Sequence, residues 1–144
     1  MSNFSSRDFG KVAPLLKAEI PEKLIHRDVE RSRDTSLGRE RKHAISVVDL
    51  PSKTMSVTLG GLDAGQSSNR HRHSYETIIF VLEGEGTTFV EDRSVDWKAG
   101  DAVYVPVWAW HYHRNRSASQ VCRYLACENA PLMQNLGAAI REES

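Results

Sequence analysis

The 144-residue chain has only two cysteines, Cys122 and Cys127. They stand five apart in one strand-like run, so they point to opposite faces and do not suit a mutual disulfide. Nor is this the C-x-x-C spacing of a redox or zinc pair. A reduced, cytoplasmic protein is expected. An excess of either charge is also lacking: Lys plus Arg equals Asp plus Glu at 19 each. No basic stripe interleaved with aromatics occurs, so neither nucleic acid nor an anionic membrane surface is an expected partner. No run of 18 apolar residues exists and the mean hydropathy is −0.48, which leaves no candidate membrane span. The N-terminal stretch has no basic segment feeding a long apolar one, so it does not read as a secretory signal. Missing too are a G-x-S-x-G nucleophile elbow, a Walker loop, a dinucleotide fingerprint and any internal repeat.

What remains is a chain of ordinary globular composition, 40% hydrophobic and 26% charged, sized for one domain. Residues 1–43 are polar and lack alternation; they read as an N-terminal arm with a short helix near Val12–Ile20. Residues 44–129 change texture. Eight short runs rich in Val, Ile, Thr, Tyr and Phe are punctuated by Gly60-Gly61, Asp63–Gly65, Gly84–Gly86, Lys98–Asp101 and Asn115–Ser119. That pattern predicts an all-β fold, an antiparallel sandwich or barrel. Residues 130–144 read as a short closing helix and tail.

Four of the six histidines fall in two H-x-H pairs, His71 with His73 and His111 with His113. Alternate strand residues share a face, so each pair projects together. By the same parity Thr77 joins the first pair, Glu76 points away and Asn115 joins the second. Strands brought together inside a barrel would converge three or four imidazoles, a donor set for Zn, Cu, Fe or Ni. Any single histidine is as readily explained by packing or exposure; two pairs beside aromatic-rich strands are harder to explain so. His26 and His43 lie in the polar arm and read as surface residues.

At these residues the sequence resembles the cupin superfamily, in its single-domain form. The first cupin motif, G-x5-H-x-H-x3-E-x6-G, is matched by Gly65, His71, His73 and Gly84, with Thr77 at the Glu position. The second, G-x5-P-x-G-x2-H-x3-N, is matched by Gly100, Pro106, His111 and Asn115, with Trp108 at the Gly position. The resemblance implies a double-stranded β-helix, a small jelly roll that often pairs into homodimers, holding one divalent ion. Most cupins bind that ion through three His and one Glu. With Thr77 in place of the Glu, the expected ligands are His71, His73 and His111, with open positions left for substrate. Glu76 would need a one-residue bulge to turn inward.

The stretch 100-GDAVYVPVWAWHYHRN-115 is similar to the gentisate dioxygenase group and its hydroxynaphthoate- and salicylate-cleaving relatives. Those enzymes hold Fe(II) with three His and open an aromatic ring with dioxygen, but they are usually larger, two-cupin chains. Small single-cupin proteins with three-His sites also cleave carbon–carbon bonds of diketones or hydroxyketones. The resemblance therefore implies an Fe(II) dioxygenase acting on a small hydroxylated aromatic acid or enolisable ketone, with Zn, Ni or Mn as other ions the site would accept. A non-redox lyase or isomerase, or a ligand-binding cupin without turnover, is the alternative. In the dioxygenase reading His113 serves as pocket acid/base and Trp108 walls the pocket. Trp110 reads as packing. Arg70 and Arg72 read as exposed, with a carboxylate clamp as the alternative.

Overall fold

The structure is a computed structural model and describes residues 10, 17–32 and 44–144. The arm's expected helix near Val12–Ile20 lies mostly outside the described residues, and 17–20 carry no regular structure. A 3-10 turn at Val29–Ser32 lies between them and the first strand, and its Glu30 pairs with Arg123.

Ten strands follow: β1 (Ala44–Val47), β2 (Ser56–Leu62), β3 (His71–His73), β4 (Thr77–Glu83), β5 (Glu85–Val90), β6 (Arg93–Lys98), β7 (Ala102–Val105), β8 (His111–Asn115), β9 (Cys122–Glu128) and β10 (Arg141–Glu143). They form two five-stranded antiparallel sheets, ordered β1-β2-β9-β4-β7 and β10-β3-β8-β5-β6. The all-β, two-sheet jelly-roll architecture expected from the sequence is present.

Alternation decides which side of each strand faces the core. Along β4, Thr77, Ile79 and Val81 are buried while Ile78, Phe80 and Leu82 are exposed. The buried set joins Leu62, Val103, Cys122, Tyr124 and Ala126 of the same sheet with Trp97 of the other, so the core lies between the sheets. Cys122 points into it, Cys127 has the opposite parity, and both are free thiols.

Two glycines of the β4–β5 turn have different physical reasons. Gly84 holds a positive φ of 85°, as a tight turn demands. Gly86 does not. A Cβ there would lie 2.2 Å from the Trp97 ring and 2.5 Å from the Arg114 carbonyl oxygen, so its missing side chain is the space that the indole fills.

The tail departs from a simple helical ending. Only Ala130–Asn135 is helical (α1); the chain then passes Gly137 at φ 69° and returns as β10. A left-handed glycine ends a helix readily, and six residues gain little from propagation. β10 pairs with β3, Arg141 opposite His73 and Glu143 opposite His71, and so covers an edge that would otherwise leave the ligand strand unpaired.

Candidate metal centre

His71 and His111 are direct cross-strand partners on β3 and β8, with ring centroids 4.3 Å apart. His73, two residues on, brings its ring to 4.8 Å from His111 and 5.4 Å from His71. One potential ligand atom from each of the three lies within 4.8 Å of the others.

Orientation follows from the backbone. Nδ1 of His71 meets the Asn69 carbonyl at 2.9 Å, Nδ1 of His73 the Tyr75 carbonyl at 2.8 Å, and Nδ1 of His111 the Ala109 carbonyl at 2.8 Å. A carbonyl only accepts, so each ring carries its proton on Nδ1 and leaves the Nε2 lone pair for an ion. Tyr75 stacks on His73 at 4.0 Å and further fixes that ring.

Burial keeps His71 and His111 neutral. It pushes His71 down to about 2, helped by charge repulsion from His111 and opposed by the Asn69 hydrogen bond. Burial likewise pushes His111 down to about 4, against the pull of the Ala109 hydrogen bond. Neutral, correctly tautomeric, convergent rings are the donor set that a divalent transition metal requires.

His113 is held differently. It opposes Thr88 across β5–β8, and Thr88 Oγ1 lies 2.8 Å from its Nδ1. The Trp97 indole N–H donates to the same oxygen at 2.9 Å. An indole N–H can only donate, so the hydroxyl accepts there and keeps its second lone pair and its own proton for the contact with His113 Nδ1. Nδ1 of His113 thus meets a hydroxyl, where Nδ1 of each of the three clustered rings meets a carbonyl. His113 lies 5.9 Å from His111 between centroids and lines the same cavity without joining the cluster.

Strand parity sets Thr77 and Glu76 on opposite faces. Thr77 is buried and lines the cavity; Glu76 is exposed, its carboxylate accepting from Tyr104 Oη at 3.3 Å. No bulge turns Glu76 inward. Asn115 is 1% exposed and works structurally: its Nδ2 donates to the Leu62 and Gln120 carbonyls and its Oδ1 accepts from the Ser117 N–H. It thereby ties the β8–β9 connection to β2.

Trp108 is the departure. It is 36% exposed, does not line the cavity, and stacks instead against the Arg72 guanidinium at 4.4 Å. Its φ of 63° explains why the second motif favours glycine here: the turn needs a left-handed residue, so that its N–H can donate to the His73 carbonyl at 2.8 Å. The tryptophan accepts that backbone and its ring turns outward. Arg72 also stacks on Trp110 and pairs with Glu142, and Arg70 lies over Trp110. Neither arginine lines the cavity, so neither is placed as a clamp inside it.

One cavity residue escaped the sequence reading. Glu128, the last residue of β9, faces Thr77 across β4–β9 and accepts the Thr77 hydroxyl proton at 2.7 Å. Its Oε2 stands 4.0 Å from His73 Nε2. Strand parity in CRYLACE gave it no distinction; only the β4–β9 register brings it to position 77. The cavity itself, closed by Ile45, Ile79, Tyr124 and Ala126, offers about 90 Å³ to solvent.

Residues 59–127 match the family of cupin domains. The two-sheet architecture is that of the cupin fold. Its relatives include a 5-aminosalicylate 1,2-dioxygenase from a Comamonas species, 36% identical over 84 residues, or 58% of this chain and 22% of that enzyme. Auxin-binding protein 5 of Zea mays is 30% identical over 99 residues, covering 66% of this chain and 65% of that protein. Among solved structures, the salicylate 1,2-dioxygenase of Pseudaminobacter salicylatoxidans superposes with a TM-score of 0.67 at 25% identity, over 77% of this chain and 34% of the enzyme. The chain thus spans about a quarter to a third of the dioxygenases it matches. No described helix is long and apolar enough to cross a membrane.

Proposed function

We propose that the protein is an Fe(II)-dependent dioxygenase that cleaves a small, chelating, hydroxylated aromatic acid or enolisable ketone. The observation that carries this reading is the set of three imidazoles, each with Nδ1 tied to a carbonyl and with one potential ligand atom within 4.8 Å of the others. The resemblance to ring-cleaving dioxygenases supports it. His71, His73 and His111 would hold the ion, which when bound supplies Lewis acidity and the electron exchange that dioxygen chemistry needs. His113, lining the same cavity, would hold or move a proton beside the substrate. Ile45, Ile79 and Ala126 would limit water in the cavity.

The test is anaerobic loading with Fe(II), then oxygen-electrode assays against hydroxybenzoates, hydroxynaphthoates, diketones and hydroxyketones. Substrate-dependent oxygen uptake that disappears in His111→Ala supports the proposal. Conversion without oxygen uptake, or equal conversion with Zn(II), replaces it by a lyase.

A ligand-binding cupin without turnover is the second reading, supported by the likeness to auxin-binding protein 5. Tight binding of a panel member without conversion under any metal would select it. We also propose a homodimer, through the outer face of the β1-β2-β9-β4-β7 sheet, where Ile78, Phe80 and Tyr104 are exposed. A monomeric mass by light scattering in the micromolar range refutes that. A cytoplasmic setting is proposed with it, on the two free thiols.

A further inference from the structure

We infer that Glu128 supplies a carboxylate ligand to the metal, so that the centre is three His and one Glu, with the Glu contributed by β9 rather than by position 77. The inference rests on the three-His reading above and changes its ligand set.

The position is set by sheet register. Thr77 and Glu128 are direct partners across β4–β9, so a side chain longer than threonine, starting from the neighbouring strand, reaches the space in front of position 77. The carboxylate is held there: Thr77 Oγ1 donates to Oε2 at 2.7 Å, and the side chain is 18% exposed. A hydroxyl donor to a ligating carboxylate is the kind of outer partner that orients a ligand. Threonine at 77 therefore has a task beyond filling the place of an acid.

The approach to His73 points the same way. Its Nδ1 proton sits on the Tyr75 carbonyl, so Nε2 presents a lone pair, and 4.0 Å away stands a carboxylate oxygen. Two acceptors facing each other in a part-buried cavity are reconciled by a shared cation, either a proton on the ring or a metal ion between them. Donor atoms sharing one ion at about 2.1 Å lie roughly 3.0 Å apart at right angles and about 4.2 Å apart when opposite. The observed separation falls inside that span. Glu128 stands beside the three-imidazole cluster rather than within it, and closes on the ion by turning about its own side-chain bonds.

The chemical consequence is charge. Three neutral imidazoles leave a divalent ion with two positive charges; a carboxylate leaves it with one, which weakens its hold on simple anions and on anionic substrates.

The test uses metal-free full-length protein and Co(II) alone, titrated against a chromophoric chelator, with the visible spectrum and azide affinity recorded at saturation. Glu128→Gln is expected to lose at least about tenfold in Co(II) affinity, the scale on which even outer partners of a ligand act. It should also change the Co(II) absorption and bind azide more tightly. The exchanged pair Thr77→Glu with Glu128→Thr returns the carboxylate from the other strand and is expected to recover affinity, a result that a merely structural role for Glu128 does not give. Affinity, spectrum and azide binding all unchanged in Glu128→Gln overturn the inference while leaving the three histidines in place. Unchanged Co(II) binding in His71→Ala overturns the three-His reading itself, and this inference with it.

Discussion

Replacing Thr88 by valine keeps the volume and removes one oxygen that serves two partners. Thr88 is fully buried, and its Oγ1 accepts from the Trp97 indole at 2.9 Å and stands 2.8 Å from His113 Nδ1. Without it both groups lose a partner in the core. A buried polar group left unpaired costs about 1–3 kcal/mol, and the extra buried methyl returns about 1 kcal/mol. With two such groups the net expectation is a loss of about 1–5 kcal/mol, a fall in Tm of about 3–20 °C for a chain near this length. Thermal unfolding of the metal-free protein followed by circular dichroism measures it. Thr87→Val is the control: it lies on the same strand with opposite parity, and its hydroxyl pairs with Asp96, whose side chain is 66% exposed. It should cost under about 1 kcal/mol. Co(II) affinity should be unchanged in Thr88→Val, because the three ligand rings are oriented by carbonyls and not by this hydroxyl. A Tm within about 2 °C of the parent, or one no lower than that of Thr87→Val, refutes the shared hydrogen-bond network.

Other consequences are as specific. Gly86→Ala drives a Cβ into the Trp97 ring and a backbone oxygen, so it should cost over about 3 kcal/mol and abolish cooperative unfolding or soluble expression; near-parental stability contradicts the packing described. The depressed values of His71 and His111 make the metal-free protein acid-sensitive. Below the ordinary histidine value of 6.5 the unfolded chain takes up protons that the folded rings refuse until about 4 and about 2. Stability should therefore be full above about pH 6.5 and fall as pH drops toward 4, by up to about 1.4 kcal/mol per pH unit for each ring, measured by urea unfolding at successive pH values. His71→Ala should flatten that slope; a slope unchanged in this variant assigns the acid sensitivity elsewhere.

The spacing of His71, His73 and His111 and the parity of Thr77 against Glu76 were legible because a strand's period of two is a local property. So was the division into short strands, since turn residues mark it directly. Glu128 was not, because its place depends on β9 pairing with β4 across 51 residues, and no local pattern reports that register. The outward turn of Trp108 was hidden for a related reason. Its motif position says that the backbone must be left-handed, and says nothing of where a ring attached there will lie. Gly86 read as a turn glycine until its neighbour across β5–β6, Trp97, supplied the reason for its lack of a side chain. The return of the tail as β10 has three residues of strand to announce it, too few for alternation to register.

The central claim is that three particular imidazoles bind one ion through Nε2. Long-range proton–nitrogen NMR of the six histidine rings tests it directly, in the metal-free protein and after one equivalent of Zn(II). Expected are Nδ1–H tautomers for His71, His73 and His111, and large Nε2 shifts on zinc addition confined to these three. Shifts falling instead on His26 or His43, or an Nε2–H tautomer for any of the three ligand rings in the metal-free state, would contradict it.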